Sequence, residues 1–139
     1  MVAISFVVMY VLMYAMVNSF SNVYNNFNQV YMAGLMSAPM ALIELALMRS
    51  MYANRQINSV VIAASVMAAV VFYILIRQQV GITRDQFLRS MIPHHAGAIL
   101  MCQQGPTKEP EVQELCQSII ESQEREIRQM KALLHRSQQ

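Results

Sequence analysis

Val60-Val-Ile-Ala-Ala-Ser-Val-Met-Ala-Ala-Val-Val-Phe-Tyr-Ile-Leu-Ile76 contains no charged side chain, no proline and no glycine, and Arg77 follows it directly. A run of this kind is what a helix in hydrocarbon requires, because inside a bilayer a single segment can satisfy its backbone only as a helix. Two further runs precede it, Val2 to Val17 and Tyr31 to Met48. Each holds roughly 16–18 residues, and the flanks extend it toward the ~20 needed to cross ~30 Å of hydrocarbon. Pro39 lies inside the second run, where a proline removes a helical hydrogen bond and predicts a kink.

The composition divides at the same place. Of 139 residues, 55% are hydrophobic and 13% charged, where a soluble domain carries roughly 25% charge. Before Arg77 the only charged side chains are Glu44, Arg49 and Arg55; after it come all three histidines, both cysteines and both lysines. The reading is a three-helix transmembrane region over 1–79 and a water-exposed region over 80–139. The first run lacks a basic leader and a small-x-small site, which favours an uncleaved span over a signal peptide. The polar loop Ser19 to Gln29 has no Lys or Arg, whereas Arg49 to Asn58 has two arginines. The positive-inside rule therefore places the N-terminus in the cytoplasm and the C-terminal region outside, although Arg77, Arg84 and Arg89 pull weakly the other way. A net charge of +2 and the lack of a basic stripe with interleaved aromatics give no case for nucleic acid.

Beyond Arg77 the pattern becomes that of an antiparallel helical hairpin. Thr83-Arg-Asp-Gln86 has the form of a capping box and predicts a helix from Arg84 to about Gln103. Gly105-Pro106 breaks it. A second helix is expected from about Thr107–Pro110 to His135, with Glu109, Glu111 and Glu114 at its positive end. Val112, Leu115, Cys116, Ile119, Gln123, Ile127, Met130 and Leu134 form one apolar stripe. A lone hairpin buries little core. The simplest cover for its stripe is a second copy, giving a four-helix bundle through homo-oligomerisation; the ends of the spans or another membrane protein are the alternatives.

Met91-Ile-Pro-His94-His95 is the strongest chemical signal. Adjacent helical residues point about 100° apart, so a regular helix does not let the two imidazoles chelate one ion. Met91 shares a face with both histidines; Met101 lies seven residues after His94, and Cys102 seven after His95. The second helix offers Gln123, Glu126 and Met130 at a compatible spacing. Imidazole with thioether or thiolate suits copper, and soft sulfur favours Cu(I). The alternative is structural: core methionines and a buried, hydrogen-bonded histidine.

The segment Asp85-Gln-Phe-Leu-Arg-Ser-Met91-Ile-Pro-His-His95-Ala-Gly-Ala-Ile-Leu-Met101 resembles the signature of the domain of unknown function 305 family, which includes CopM-like copper-resistance proteins. Ile119-Ile-Glu-Ser-Gln123-Glu-Arg-Glu-Ile127-Arg-Gln-Met130 is similar to its second stretch. The resemblance covers about 84–134. It implies a ferritin-like four-helix bundle, commonly periplasmic, so here a bacterial inner-membrane protein with its hairpin in the periplasm. It implies His94 and His95 as metal ligands with Met91, Met101 and Met130 as sulfur donors, and Gln123 and Glu126 on the matching second helix. Many members carry two such hairpins and this chain has one, so a complete bundle needs self-association; the membrane part resembles a membrane-anchored branch.

Cys102 and Cys116 fall where an antiparallel hairpin brings them close. A disulfide, two thiolates for a soft metal, or two packed thiols are the readings. His135 is expected in water at a helix end. In the second run Met32, Met36, Met40, Glu44 and Met48 recur every four residues, a spacing that resembles the eukaryotic copper importers. A packing stripe is the ordinary reading, while Glu44, costly in a span, keeps a transport role open. Gly34, Ser37, Ala38 and Ala41 suit close helix approach.

The expectation is an all-α membrane protein that binds or confers resistance to a metal, with copper as the cofactor held by His94, His95, Met91, Met101, Met130, Cys102, Cys116 and Glu126. A copper or cation transporter and a structural subunit of a membrane complex are the alternatives. No Gly-rich phosphate loop and no paired Glu-x-x-His motifs support an enzyme.

Overall fold

The computed structural model describes residues 2–47, 54–105 and 109–137. Among these residues the fold is all-α, with five α-helices and no strand: α1 (Val2–Leu12), α2 (Phe27–Leu47), α3 (Arg55–Gln78), α4 (Arg84–Gln104) and α5 (Pro110–Arg136). Short 3-10 turns at Met13–Met16 and Phe20–Asn22 lie between α1 and α2. Two units result, one formed by 1–13 with 27–81 and the other by 14–26 with 82–139.

In the first unit α2 packs against both α1 and α3. α2 and α3 are antiparallel, because the start of one is tied to the end of the other. Asn28 and Gln79 exchange side-chain amide hydrogen bonds of 3.1 and 3.2 Å, and the Tyr31 hydroxyl donates to the Val80 carbonyl at 3.0 Å. The contact face of α2 is its small-residue side, with Ala33, Gly34, Ser37, Ala38 and Ala41 buried. At Gly34 a Cβ would stand 2.5 Å from the Phe72 ring, so only glycine permits the observed approach. Ser37 returns its hydroxyl to the Ala33 carbonyl at 2.7 Å. Pro39 continues α2 but leaves the Leu35 carbonyl without its helical N–H.

α3 starts where the Asn54 side chain accepts from the Gln56 and Ile57 amides. It ends at Gln79, which has left-handed φ 51°, with the Val80 amide bonded back to the Leu75 carbonyl at 3.2 Å.

Two of the three expected spans have the required length. α2 has 21 residues and α3 has 24, about 32 and 36 Å at 1.5 Å per residue. α1 has 11, about 16 Å, and the adjoining 3-10 turn takes its apolar run only to Met16. The expectation of three transmembrane helices is therefore corrected to two candidates. The physical reason lies at the end of the first run: Tyr14 donates its hydroxyl to the Tyr24 carbonyl at 2.8 Å, and Val17 packs into the core of the second unit, so the chain leaves its helix early.

The second unit is the hairpin. Thr83 caps α4 by accepting from the Gln86 amide, and Pro110 opens α5 in its first turn. Gly105 follows α4 where a Cβ would lie 2.9 Å from the Met101 carbonyl. Leu88, Ile92, Ala96 and Ile99 of α4 meet Ile127, Met130 and Leu134 of α5. The expected stripe is buried only in its C-terminal half; Leu115 is 59% exposed. Part of the cover comes from this chain's own 14–26 segment. Val17 and Tyr24 pack on the core, the second 3-10 turn lies on α4, and the Met16 carbonyl sits over Gly97. Asn22 and Asn26 are buried there; Asn22 donates to the Asn18 side chain at 2.9 Å and Asn26 to the Tyr24 carbonyl at 3.0 Å.

Candidate functional site

α4 points its 88-92-95-96-99 side inward, so His95 enters the core while His94, one residue earlier, faces outward. Pro93, directly before His94, is buried and cannot give the Arg89 carbonyl an N–H. His95 has a side chain only 9% exposed. Its Nδ1 lies 2.8 Å from the Met91 carbonyl and its Nε2 lies 2.7 Å from Oε2 of Glu126 on α5.

This geometry fixes the ring chemically. A carbonyl only accepts, so Nδ1 carries the proton it donates to Met91. Nε2 then faces a carboxylate oxygen with one proton between them. With that proton on the ring the contact is an ion pair; with it removed, Nε2 presents a lone pair beside a second oxygen donor. Metal-ligating histidines are oriented in this way, with the other ring N–H on a backbone carbonyl fixing the tautomer. The Glu126 side chain is 47% exposed, so the pair opens on one side to water.

The remaining expected ligands are distributed unequally. Met91 and Met130 belong to the hydrophobic cluster that surrounds this part of α4 and α5, Met130 buried and Met91 half-buried. His94 is exposed, its ring centroid 6.0 Å from that of His95 and tilted by 64°. Met101 is exposed. Gln123 is half-buried on α5, and His135 is exposed in its last turn. Among the described residues, no three His, Cys, Asp or Glu side chains converge on one point. The fit to a metal thus rests on one oriented imidazole, one carboxylate and nearby thioethers, a set that suits a soft ion of low coordination number better than zinc or a hard cation.

Cys102 and Cys116 form a separate place. Both are free thiols and half-buried. The hydrogen bond with Cys116 raises the Cys102 thiol above its ordinary range; burial and the proximity of a Cys116 thiolate act in the same direction.

The membrane-side candidates are placed differently from the packing-stripe reading. Met32, Met36 and Met40 are exposed on α2, away from its buried small residues. They are not core within this chain. Glu44 is half-buried; Met48 and Arg49 lie outside the described residues.

What the sequence did not mark is the 14–26 segment, a polar loop by composition that supplies Val17 and Tyr24 to the hairpin core. The only signal was the interleaving of aromatic and aliphatic residues with its asparagines.

A family model described as "Domain of unknown function" number 305 matches residues 35–134, reaching well before the hairpin. An uncharacterized protein of Acanthamoeba polyphaga mimivirus is 33% identical over 111 residues, covering 78% of this chain and 71% of that protein. No solved structure matches the chain.

Proposed function

The chain belongs to the domain of unknown function 305 family, and from that premise we propose that it is a membrane-anchored protein that binds copper through its hairpin, of the copper-resistance kind. The observation that carries this reading is the orientation of His95: Nδ1–H held on the Met91 carbonyl, Nε2 directed at Glu126.

Cu(I) bound at this place would be a stored or relayed ion, with no bond made or broken in a substrate. The chain's own residues do the preparation. Met91 sets the tautomer, Glu126 takes up the Nε2 proton or leaves it to water, and the Met91 and Met130 thioethers supply soft donors from the adjoining core. His94 completes the set by rotating inward or by serving a second copy of the chain.

Anchoring is supported by the outward faces of α2 and α3. Ile43, Leu47, Val60, Met67, Val70 and Tyr73 are all exposed, an apolar surface too extensive to leave in water. The proposed orientation sets the hairpin on the periplasmic side of a bacterial inner membrane.

The test is a Cu(I) competition titration of detergent-purified, reduced protein beside the His94→Ala/His95→Ala variant. Loss of one bound copper equivalent in the variant supports the reading. Equal binding in both proteins removes the histidines from the site.

A further inference from the structure

Cys102 is in the last turn of α4 and Cys116 in the second turn of α5, on either side of the hairpin loop. Cys102 lies seven residues beyond His95, about 10 Å along the helix at 1.5 Å per residue, so the thiols and the His95–Glu126 pair do not share an ion. The two thiols line one cleft of about 250 Å3 together with Gln103, Gln113, Gln117 and Ile120. The hairpin thus brings both cysteines to the same cleft from α4 and α5.

The walls of this cleft select its occupant. Among the described residues that line the cleft, the polar side chains are neutral amides, with no carboxylate or imidazole. Ions that demand six or more oxygens are not served there, and zinc lacks two of its four strong ligands. Two sulfurs lining one cleft are sufficient for a soft d10 ion, which thiolates favour over harder competitors. Both thiols are half-buried and open to an ion entering the cleft.

We propose that Cys102 and Cys116 form a second, separate metal site that holds one Cu(I) between two thiolate sulfurs. The step balances as one Cu(I) and two thiols giving a bis-thiolate complex of charge −1 and two protons released to solvent; no electron is transferred. The ion also links α4 to α5 across the loop, closing the end of the hairpin where the apolar stripe is least covered. The inference extends the metal-binding reading of the hairpin but uses different atoms, so either can fail alone.

The experiment is an anaerobic Cu(I) titration of the full-length, detergent-solubilised chain against a chromophoric chelator. The proteins are wild type, Cys102→Ser/Cys116→Ser, Cys116→Ser and His94→Ala/His95→Ala. Bound copper, thiolate-to-copper charge-transfer absorption and alkylation of the two thiols are followed together, and circular dichroism checks helicity. Expected is one copper equivalent and the whole charge-transfer band lost in both cysteine variants, with the band retained in the histidine variant. In wild type, saturating Cu(I) should protect both thiols from alkylation. The proposal is overturned if wild-type protein shows no band and both thiols stay reactive at saturation. It is equally overturned if the cysteines are isolated as a disulfide and, once reduced, still bind nothing. Loss of all copper in the histidine variant alone also removes the thiol site while leaving the His95 reading intact; loss in the cysteine variants alone does the reverse.

Discussion

Replacing Glu126 by Gln tests the pair on which the candidate site is built. The Nε2–Oε2 separation of 2.7 Å is that of a charge-assisted hydrogen bond, worth roughly 1.5–3 kcal/mol when protected from water. An ion pair fully in water is worth ~0–1 kcal/mol. Here the imidazole end is buried and the carboxylate end half-exposed, so the coupling should fall between these, about 1–2 kcal/mol. Glu126→Gln keeps the size and one hydrogen bond and should lose about 1 kcal/mol; Glu126→Leu abandons the buried ring and should lose about 2. The assay is hydrogen exchange of the α4 amides in full-length protein, read as a local opening free energy and combined with His95→Gln in a double-mutant cycle. A coupling energy indistinguishable from zero would refute the argument, since it would mean that His95 is held by packing and the Met91 carbonyl alone.

Other consequences are read from single positions. Ile92, fully buried among the α4 and α5 side chains, should cost about 2–5 kcal/mol as Ala, measured by the same exchange experiment on α5 peptides. Gly34→Ala drives a methyl into the Phe72 ring and should cost about 1–3 kcal/mol in a steric-trapping or detergent-unfolding assay; Phe72→Leu in the same chain should recover part of it. Met36→Leu/Met40→Leu, on the outward side of α2, should leave stability within about 0.5 kcal/mol, and an unchanged rate of copper uptake into vesicles would argue against a transport path along that side. The Cys102 thiol is raised above its ordinary range, so at any given pH less of it is thiolate and iodoacetamide should label it more slowly than a free thiol. Its rate should climb only at higher pH, and Cys116→Ala, which removes the hydrogen-bonding partner and the neighbouring thiolate, should shift that rise back down.

The hairpin was legible because its signals are local. A capping threonine, a Gly-Pro break, a proline in a first turn and an apolar stripe fix α4 and α5 almost to the residue. The length of α1 was not legible for the opposite reason. Its run remains apolar to Val17, but Tyr14 and Val17 make contacts with the hairpin unit, and hydropathy cannot distinguish an apolar residue drawn into a protein core from one exposed to lipid. The methionine ladder shows the same limit. A four-residue period states that Met32, Met36 and Met40 share a side of α2; only the small residues opposite, with Gly34 against Phe72, determine which side packs.

For the candidate site, the sequence names residues but not their arrangement. Adjacent histidines about 100° apart on a helix cannot both enter the same core, and periodicity does not say which one does. The answer comes from α5: Ile127 and Met130 define its buried side, and Glu126, one residue before Ile127, falls at the edge of that side, within reach of whichever histidine turns inward. Leu88, Ile92, Ala96 and Ile99 turn the same side of α4 toward it, and that side includes His95. The register of two apolar stripes therefore pairs His95 with Glu126 and sets His94 outside. On the proposed function this division would give the two histidines different work, the inner one fixed in tautomer and direction by Met91 and Glu126, the outer, exposed one left to turn toward an arriving ion or a second copy of the chain. If the proposed copper site is the function, a site divided in this way would hold a labile ion more naturally than a permanent one, because half of its imidazole ligation would form only on arrival.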